Sequence, residues 1–220
     1  MEQRTIEIIK SFGDVSKKML FIEGDVLAVT NAERSIVAIA KLPEQITKEF
    51  ALYDVSEFLG TYSLFNTPTL EFKEDFVLIA DGKNKAKYYY SSKLGITNIY
   101  GADIDGVKGD ELATFTIEKS DLDTAKKASS VLGLIDLQIT DTGVKVVNTE
   151  ANKMGNEFEI HVSNFNCKNP ELLKDGEHVL FLTDLVFIPD TYDVTIYENI
   201  TQFKAANGDV NYYVAYKEFD

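Results

Sequence analysis

Residues 5–16 read TIEIIKSFGDVS, and about 116 positions later residues 120–132 read SDLDTAKKASSVL. In both stretches apolar side chains recur at three-residue steps, which is the pattern of a helix that packs along one stripe. The first stripe comprises Ile6, Ile9, Phe12 and Val15, and the second comprises Leu122, Ala125, Ala128 and Val131. Lys10 and Lys126 take the same place in this register. The repeat predicts that one structural module occurs twice in the chain.

The same series of elements follows each predicted helix. A β-hairpin with a glycine turn comes next, at Gly24 in the first half and at Gly143 in the second. A Leu-x-Asp-aliphatic sequence then predicts a second helix in each half, beginning with Leu52–Val55 and with Leu182–Leu185. Strands close each half, around hairpin turns at Asp81-Gly82 and Asn207-Gly208.

These elements predict an α+β fold of two similar domains, each with two helices packed on a mostly antiparallel sheet. We expect the first domain to span residues 1–108 and the second to span residues 109–220. The stretch from about residue 91 to residue 113 is rich in Gly and Asp, and it is the expected connector.

Short sequence signals predict where the helices begin and end. Asp54, with Glu57 three residues later, has the pattern of an N-terminal cap for the second helix. Ser120 is the expected cap of the third helix. A short fourth helix is expected after Leu182, and Pro189 should stop it.

The formal net charge of −14 is unevenly distributed. Residues 1–108 contain 13 Lys and Arg against 16 Asp and Glu, whereas residues 109–220 contain 9 against 20. Such an acidic chain repels nucleic acid unless its basic residues are collected on one face. The single cysteine, Cys167, excludes an internal disulfide and favours a reducing compartment. We expect no signal peptide and no membrane span, and therefore a soluble cytosolic protein.

Candidate catalytic residues are few. His161 lies in an alternating strand and is expected to be structural, and His178 lies in a loop without a nearby nucleophile pattern. Cys167 has no recognisable partner, so an inert thiol is expected. We find no metal-ligand spacing, cofactor fingerprint or catalytic triad, and we predict a protein that is not an enzyme and needs no cofactor.

Basic residues accompany the two leading helices. Lys10 lies at the edge of the first apolar stripe, and Lys126 and Lys127 lie beside the second. Arg4, Lys17 and Lys18 flank the first helix. Lysines on a solvated helix face commonly serve solubility alone. The alternative is that they contact phosphates, because an ammonium group is a point charge without base-specific geometry.

The stretch FALYDVSEFLG at residues 50–60 resembles the aliphatic-Tyr-Asp strand and Phe-Leu-Gly helix of the DNA polymerase sliding clamps of T-even-type tailed phages. Further similar stretches are Ile8–Phe12, Asp121–Lys127, Ile135–Thr140 and Asn211–Ala215. Length, element order and duplication agree with that family over essentially the whole chain.

The resemblance implies a ring of three subunits and six similar domains around duplex DNA, with helices lining the hole. It implies that the protein tethers the replicative polymerase, is loaded by an ATP-driven clamp loader and contacts the late-transcription machinery in the cytoplasm of the infected host. The basic residues that line the bore in that family carry over to Lys10 and Lys127, and we add Lys126, Arg4, Lys17 and Lys18. The second and fourth predicted helices depart from the pattern, because they carry Asp54, Glu57 and Asp184 rather than lysines.

The resemblance also implies a pocket for short hydrophobic partner peptides near the connector. By analogy its residues are Ile39, Leu42, Ile99, Tyr100, Val214 and Tyr216. The alternative is that these residues form the core of the sheets.

Three other functions compete with the clamp. A β-rich structural protein of the virion would share the acidic composition, a small-molecule barrel would require an interior cavity, and an enzyme would need an unrecognised site. The mass in solution separates these alternatives, because the clamp alone requires a trimer.

Overall fold

The computed structural model describes residues 1–96, 101–150, 155–174 and 176–218, with residues 101 and 102 described by their backbone only. The chain divides into two compact units, Met1–Tyr100 and Gly101–Asp220. This boundary lies inside the stretch that was expected to be the connector.

The described residues of the first unit form two helices and seven strands. In chain order they are α1 (Gln3–Val15), β1 (Met19–Phe21), β2 (Gly24–Thr30), β3 (Ile36–Ile46), β4 (Phe50–Leu52), α2 (Val55–Ser63), β5 (Thr69–Phe72), β6 (Phe76–Asp81) and β7 (Asn84–Tyr89). Strand β1 pairs with β4 and β2 pairs with β3, while β5, β6 and β7 form a meander. All of these pairings are antiparallel.

The second unit repeats this plan with additions. In chain order its elements are α3 (Gly101–Asp105), β8 (Glu111–Ile117), α4 (Lys119–Leu132), β9 (Asp136–Ile139), β10 (Val144–Val147), β11 (Phe158–Ile160), β12 (Ser163–Cys167), α5 (Pro170–Leu173), β13 (Val179–Phe181), a 3-10 turn (Leu182–Asp184), β14 (Tyr192–Tyr197), β15 (Ile200–Ala205) and β16 (Val210–Ala215). One sheet has the order β11-β10-β9-β13, and β12, β8, β14, β15 and β16 are hydrogen-bonded in that order. Within the described residues no helix is long and apolar enough to cross a bilayer.

The internal duplication is visible in the pairing of the strands. In the first unit β1, the strand after the leading helix, pairs with β4, which leads into the Leu-x-Asp sequence. In the second unit β9 and β13 have the same places in the chain and also pair. A three-stranded meander then closes each unit, β5-β6-β7 in the first and β14-β15-β16 in the second. The predicted α+β class is therefore confirmed.

Helix α1 packs its apolar face on β2, β3 and α2. Ile8, Ile9 and Phe12 are fully buried in this contact, and each such side chain contributes roughly 1.5–3 kcal/mol. Gly13 lets the two helices approach, because a β carbon at this position would lie 3.3 Å from Cγ1 of Val55.

Two local predictions were wrong. The hairpin expected around Gly24 does not form, because β1 and β2 do not pair with each other. Leu20 of β1 pairs with Ala51 of β4, and β2 pairs with β3. Gly24 has a φ of 120°, which lets the backbone change direction between the two pairings. Helix α4 begins at Lys119 rather than after a Ser120 cap, since β8 runs to Ile117.

The fourth predicted helix is reduced to the 3-10 turn Leu182–Asp184. Leu185 and Ile188 are buried at three-residue steps, which explains the helical pattern in the sequence. The backbone N–H of Ile188, however, donates to the hydroxyl of Tyr212 (3.1 Å) rather than to a helical carbonyl. Tertiary contacts of this segment therefore replace the helix.

We expect the Asp54→Ala variant to lose about 1 kcal/mol of unfolding free energy. The Asp54 carboxylate accepts a hydrogen bond from the backbone N–H of Glu57 (3.1 Å), which confirms the predicted cap of α2. Chemical denaturation would measure the loss. An Asp54→Asn variant, which keeps the acceptor oxygen, should lose less, and equal losses would contradict the cap.

Candidate nucleic-acid interface

Helix α1 presents an exposed face opposite its buried stripe. The side chains on this face are Gln3, Glu7, Lys10 and Asp14. Lys10 has no hydrogen-bond or ion-pair partner among the described residues, so its ammonium group is available to a ligand. The two acidic neighbours reduce the positive potential of this face without pairing with Lys10.

Helix α4 presents a comparable face that carries one charge. Its exposed side chains are Ser120, Thr124, Lys127 and Val131. Lys127 has no ion-pair partner within the described part of the chain, whereas Lys119 on the same helix pairs with Asp123. Lys127 is therefore, like Lys10 of α1, a free cation among the described residues.

The buried residues of the two helices give the positions of Lys10 and Lys127 on them. Lys10 lies two residues after the buried Ile8, and Lys127 lies two residues after the buried Ala125. Val131, which the sequence placed in the apolar stripe, is 82% exposed. Lys10 and Lys127 each lie on the exposed face of their helix, and the equivalence of Lys10 with Lys126 stays a prediction.

Lys126 is held by the protein itself. Its ammonium group donates to the backbone carbonyl of Leu185 (2.7 Å), at the end of the 3-10 turn. Burial of the charged group lowers the pKa of Lys126, although the nearby carboxylate of Asp123 opposes that effect. Lys126 is nevertheless exposed, and its ammonium group has two further donors, so a contact with DNA stays a prediction.

The remaining predicted basic residues lie at the two ends of α1. Arg4 forms an ion pair with Glu7 (3.5 Å) near the start of the helix. Lys17 and Lys18 are exposed in the loop after the helix, and the Lys18 ammonium lies 5.1 Å from the ring centre of Tyr53. Their contact with DNA also stays a prediction.

The acidic residues of α2 have local partners. Asp54 caps the helix, and the Glu57 carboxylate accepts a hydrogen bond from the hydroxyl of Tyr88 (3.2 Å). Burial of the phenol, together with the charge of Glu57, raises the pKa of Tyr88 to about 12. These carboxylates therefore serve the first unit's own structure.

The residues of the predicted peptide pocket are largely buried or engaged. Leu42 and Val214 lie in the core, and the Tyr216 hydroxyl donates to the carbonyl of Tyr197 (2.6 Å). Ile39 is half-buried. Ile99 and Tyr100 lie outside the described residues. The burial of Leu42 and Val214 favours the sheet-core alternative for these two residues, and the pocket itself stays a prediction.

The three candidate reactive residues are scattered. His161 is exposed, and its Nδ1 lies 3.9 Å from the Asp121 carboxylate. His178 packs edge-on against Tyr216, and burial lowers its pKa. Cys167 is a half-buried free thiol on β12. In the described portion of the chain no group of three or more His, Cys, Asp or Glu side chains could hold a metal ion.

Arg34 is a further basic residue that was not among those predicted from the sequence. This residue lies in the turn between β2 and β3, where it lines a cleft together with Lys17 and Lys18. Its separation from the lysines along the chain hides the cluster, and the only sequence signal is the turn-forming pair Thr30-Asn31 before it.

Comparisons with known proteins identify similar chains. No family model matches the sequence. A protein of Vibrio phage KVP40 named sliding clamp is 28% identical over 173 residues, which cover 74% of this chain and 76% of that protein.

Solved structures agree on the fold. PCNA from Thermococcus kodakaraensis superposes with a TM-score of 0.68 at 12% identity, covering 98% of this chain and 96% of that one. PCNA from A. fulgidus, solved with the C-terminal region of FEN-1 bound, gives 0.65 at 10% identity, covering 98% and 95%. The chain has the fold of these proteins.

Proposed function

We propose that the chain is a sliding clamp like the phage protein it resembles, and that it encircles duplex DNA as a homotrimeric ring that confers processivity on the replicative DNA polymerase. It is not an enzyme, since a clamp acts as a scaffold. One observation carries the proposal: the duplicated fold matches PCNA over 98% of the chain, and a phage clamp is similar in sequence over 74%.

The placement of the free lysines supports sliding. Lys10 and Lys127 are both exposed on the leading helices of the two units. Isolated ammonium groups attract phosphates without reading bases, so contact with DNA is weak and independent of sequence. Retention by enclosure needs no high affinity, and the acidic remainder of the chain limits nonspecific adhesion.

We further propose the partners that the family resemblance implies. The DNA polymerase docks on the ring, an ATP-dependent clamp loader opens and places it, and late-transcription factors use it in the cytoplasm of the infected host. The FEN-1 segment on A. fulgidus PCNA is an example of a partner segment on a protein of this fold. The hydrophobic pocket for partner peptides belongs to this proposal.

We expect a solution mass of about three times the 24.7 kDa of one chain, measured by light scattering or sedimentation over a range of concentrations. Rings loaded on nicked circular DNA should remain bound, and they should be lost when the DNA is linearised. A monomer at high concentration, or equal retention on both DNA forms, would contradict enclosure. A virion structural protein would show no dependence on DNA topology.

A further inference from the structure

A basic cleft lies in the first unit, where helix α1 ends. Its walls are the loop after α1, the turn between β2 and β3, and the segment that follows β7, and they enclose about 460 Å³. The polar side chains of this basic cleft belong to Ser16, Lys17, Lys18, Thr30, Asn31 and Arg34.

The charge of the basic cleft is opposite to that of the chain. Of the residues that the structure describes, three cations and no carboxylate line it, whereas the whole protein carries a formal charge of −14. Lys17 and Arg34 have no ion-pair partner among the described residues. Clustered like charges repel one another, and an anion between them would relieve that repulsion.

Hydrogen bonds fix the turn that carries Arg34. The Asn31 Oδ1 accepts from the backbone N–H of Ile36 (3.1 Å), and its Nδ2 donates to the Ser35 hydroxyl (2.8 Å). The Thr30 hydroxyl donates to the carbonyl of Ile36 (2.8 Å). Arg34 has a φ of 58°, a conformation that few residues with a β carbon adopt. The turn therefore holds the base of the Arg34 side chain in a defined place.

The opposite wall is fixed by the loop after α1. The Lys17 carbonyl accepts a hydrogen bond from the backbone N–H of Val55 (2.9 Å), and the Ser16 hydroxyl donates to the carbonyl of Lys18 (2.9 Å). The backbone beneath the two lysines is thus ordered before any ligand binds, which reduces the entropy lost on binding.

We propose that the basic cleft binds a phosphate group of the DNA backbone, which makes Arg34 a DNA-contacting residue. A guanidinium group offers two parallel hydrogen bonds to phosphate, and the lysines add point charges. The volume of the cleft admits a phosphodiester with parts of its sugars. An acidic protein segment is the competing occupant, but the cleft begins where α1, the helix of Lys10, ends. This inference rests on the proposed function, which brings DNA to that helix.

Binding of the full-length protein to a fluorescent duplex of about 30 base pairs, measured by anisotropy across roughly 20 to 200 mM salt, tests the proposal. Arg34→Ala should weaken binding and reduce the slope of log affinity against log salt by about one for each cleft that contacts DNA. Arg34→Lys, which keeps the charge, should lie between Arg34→Ala and the unaltered protein. Lys83→Ala, on the turn between β6 and β7, is the matched control and should not change the slope.

Photochemical cross-linking locates the contact independently of any variant. A duplex with azidophenacyl groups on its phosphates should label residues 16–18 or 31–34 of the unaltered protein. If the protein is retained on circular DNA, the absence of such labelling together with an unchanged slope for Arg34→Ala would refute the phosphate contact in the cleft. The proposed function would remain intact. If Arg34→Ala lost polymerase stimulation but bound DNA normally, this result would also refute the phosphate contact. It would favour an acidic protein segment as the occupant of the cleft. No retention of the unaltered protein would refute the proposed function itself.

Discussion

The variant with both Lys10→Glu and Lys127→Glu should be loaded poorly on circular duplex DNA and should stimulate the polymerase weakly. A trimer would present six of these lysines, and exposed charge contacts contribute roughly 0.5 kcal/mol each. Their loss would amount to about 3 kcal/mol, or roughly a hundredfold in affinity, and the new carboxylates would add repulsion. Retention during gel filtration at physiological salt measures the effect.

The fold should survive these substitutions. Both side chains are exposed, and Lys10 and Lys127 have no partner within the described residues, so each change should alter the unfolding free energy by no more than about 0.5 kcal/mol. The control is Lys83→Glu with Lys204→Glu, which makes the same change in net charge at two exposed positions on strands or turns. An equal loss of activity in the control would show that overall charge causes the effect. Full activity of the variant with Lys10→Glu and Lys127→Glu would refute the role of these two lysines.

Lys126 shows why the sequence could not select these residues. Three lysines accompany α4, and the spacing alone does not reveal that Lys126 donates to the Leu185 carbonyl, 59 residues away. The apolar stripe was misleading at its end, because Val131 lies on the exposed face. A hydrogen bond to a segment distant in sequence, rather than local periodicity, distinguishes Lys126 from Lys127.

The same distinction separates the correct from the incorrect predictions of strand pairing. The hairpin of β9 and β10 formed as expected, since both partners flank Gly143 and their contact is local. Around Gly24 the same local signal failed, because β1 pairs with β4 about 30 residues away. Asp54 was predictable as a cap since its hydrogen bond spans three residues. The cleft of Arg34 was not predictable, because it joins segments from three parts of the first unit.

A buried ion pair joins the last residues of the second unit to the rest of that unit. Asp136 on β9 is 0% exposed, and the side chain of Lys217 is 8% exposed. The Lys217 ammonium lies 3.4 Å from the Asp136 carboxylate and 2.9 Å from that of Glu150. The backbone N–H of Thr149 donates to Asp136 (2.9 Å), so this carboxylate also has a neutral partner.

We expect Lys217→Met to lower the unfolding free energy by roughly 3 kcal/mol, because it leaves the Asp136 carboxylate buried without a cation. Adding Asp136→Asn should restore most of the loss, since the amide oxygen still accepts from Thr149 and no charge stays buried. Urea unfolding followed by circular dichroism measures both variants. The effect should persist at neutral pH: burial acts to lower the pKa of Lys217, but the hydrogen bond to Glu150 and the charge of Asp136 raise it above 10.5. The stabilisation from the charged ammonium is therefore lost as the pH rises beyond that value.

Lys168→Met is the matched control, because Lys168 forms an ion pair with Glu111 (2.7 Å) at a site where about half of the lysine side chain is exposed. Water solvates Glu111 when its partner is removed, so this variant should lose no more than about 1 kcal/mol. A loss for Lys217→Met as small as that of the control would mean that water reaches Asp136 in the variant. A failure of Asp136→Asn to rescue would show that the ammonium of Lys217 contributes through Glu150 and the Phe181 ring, 4.9 Å from it, rather than by neutralising the buried carboxylate.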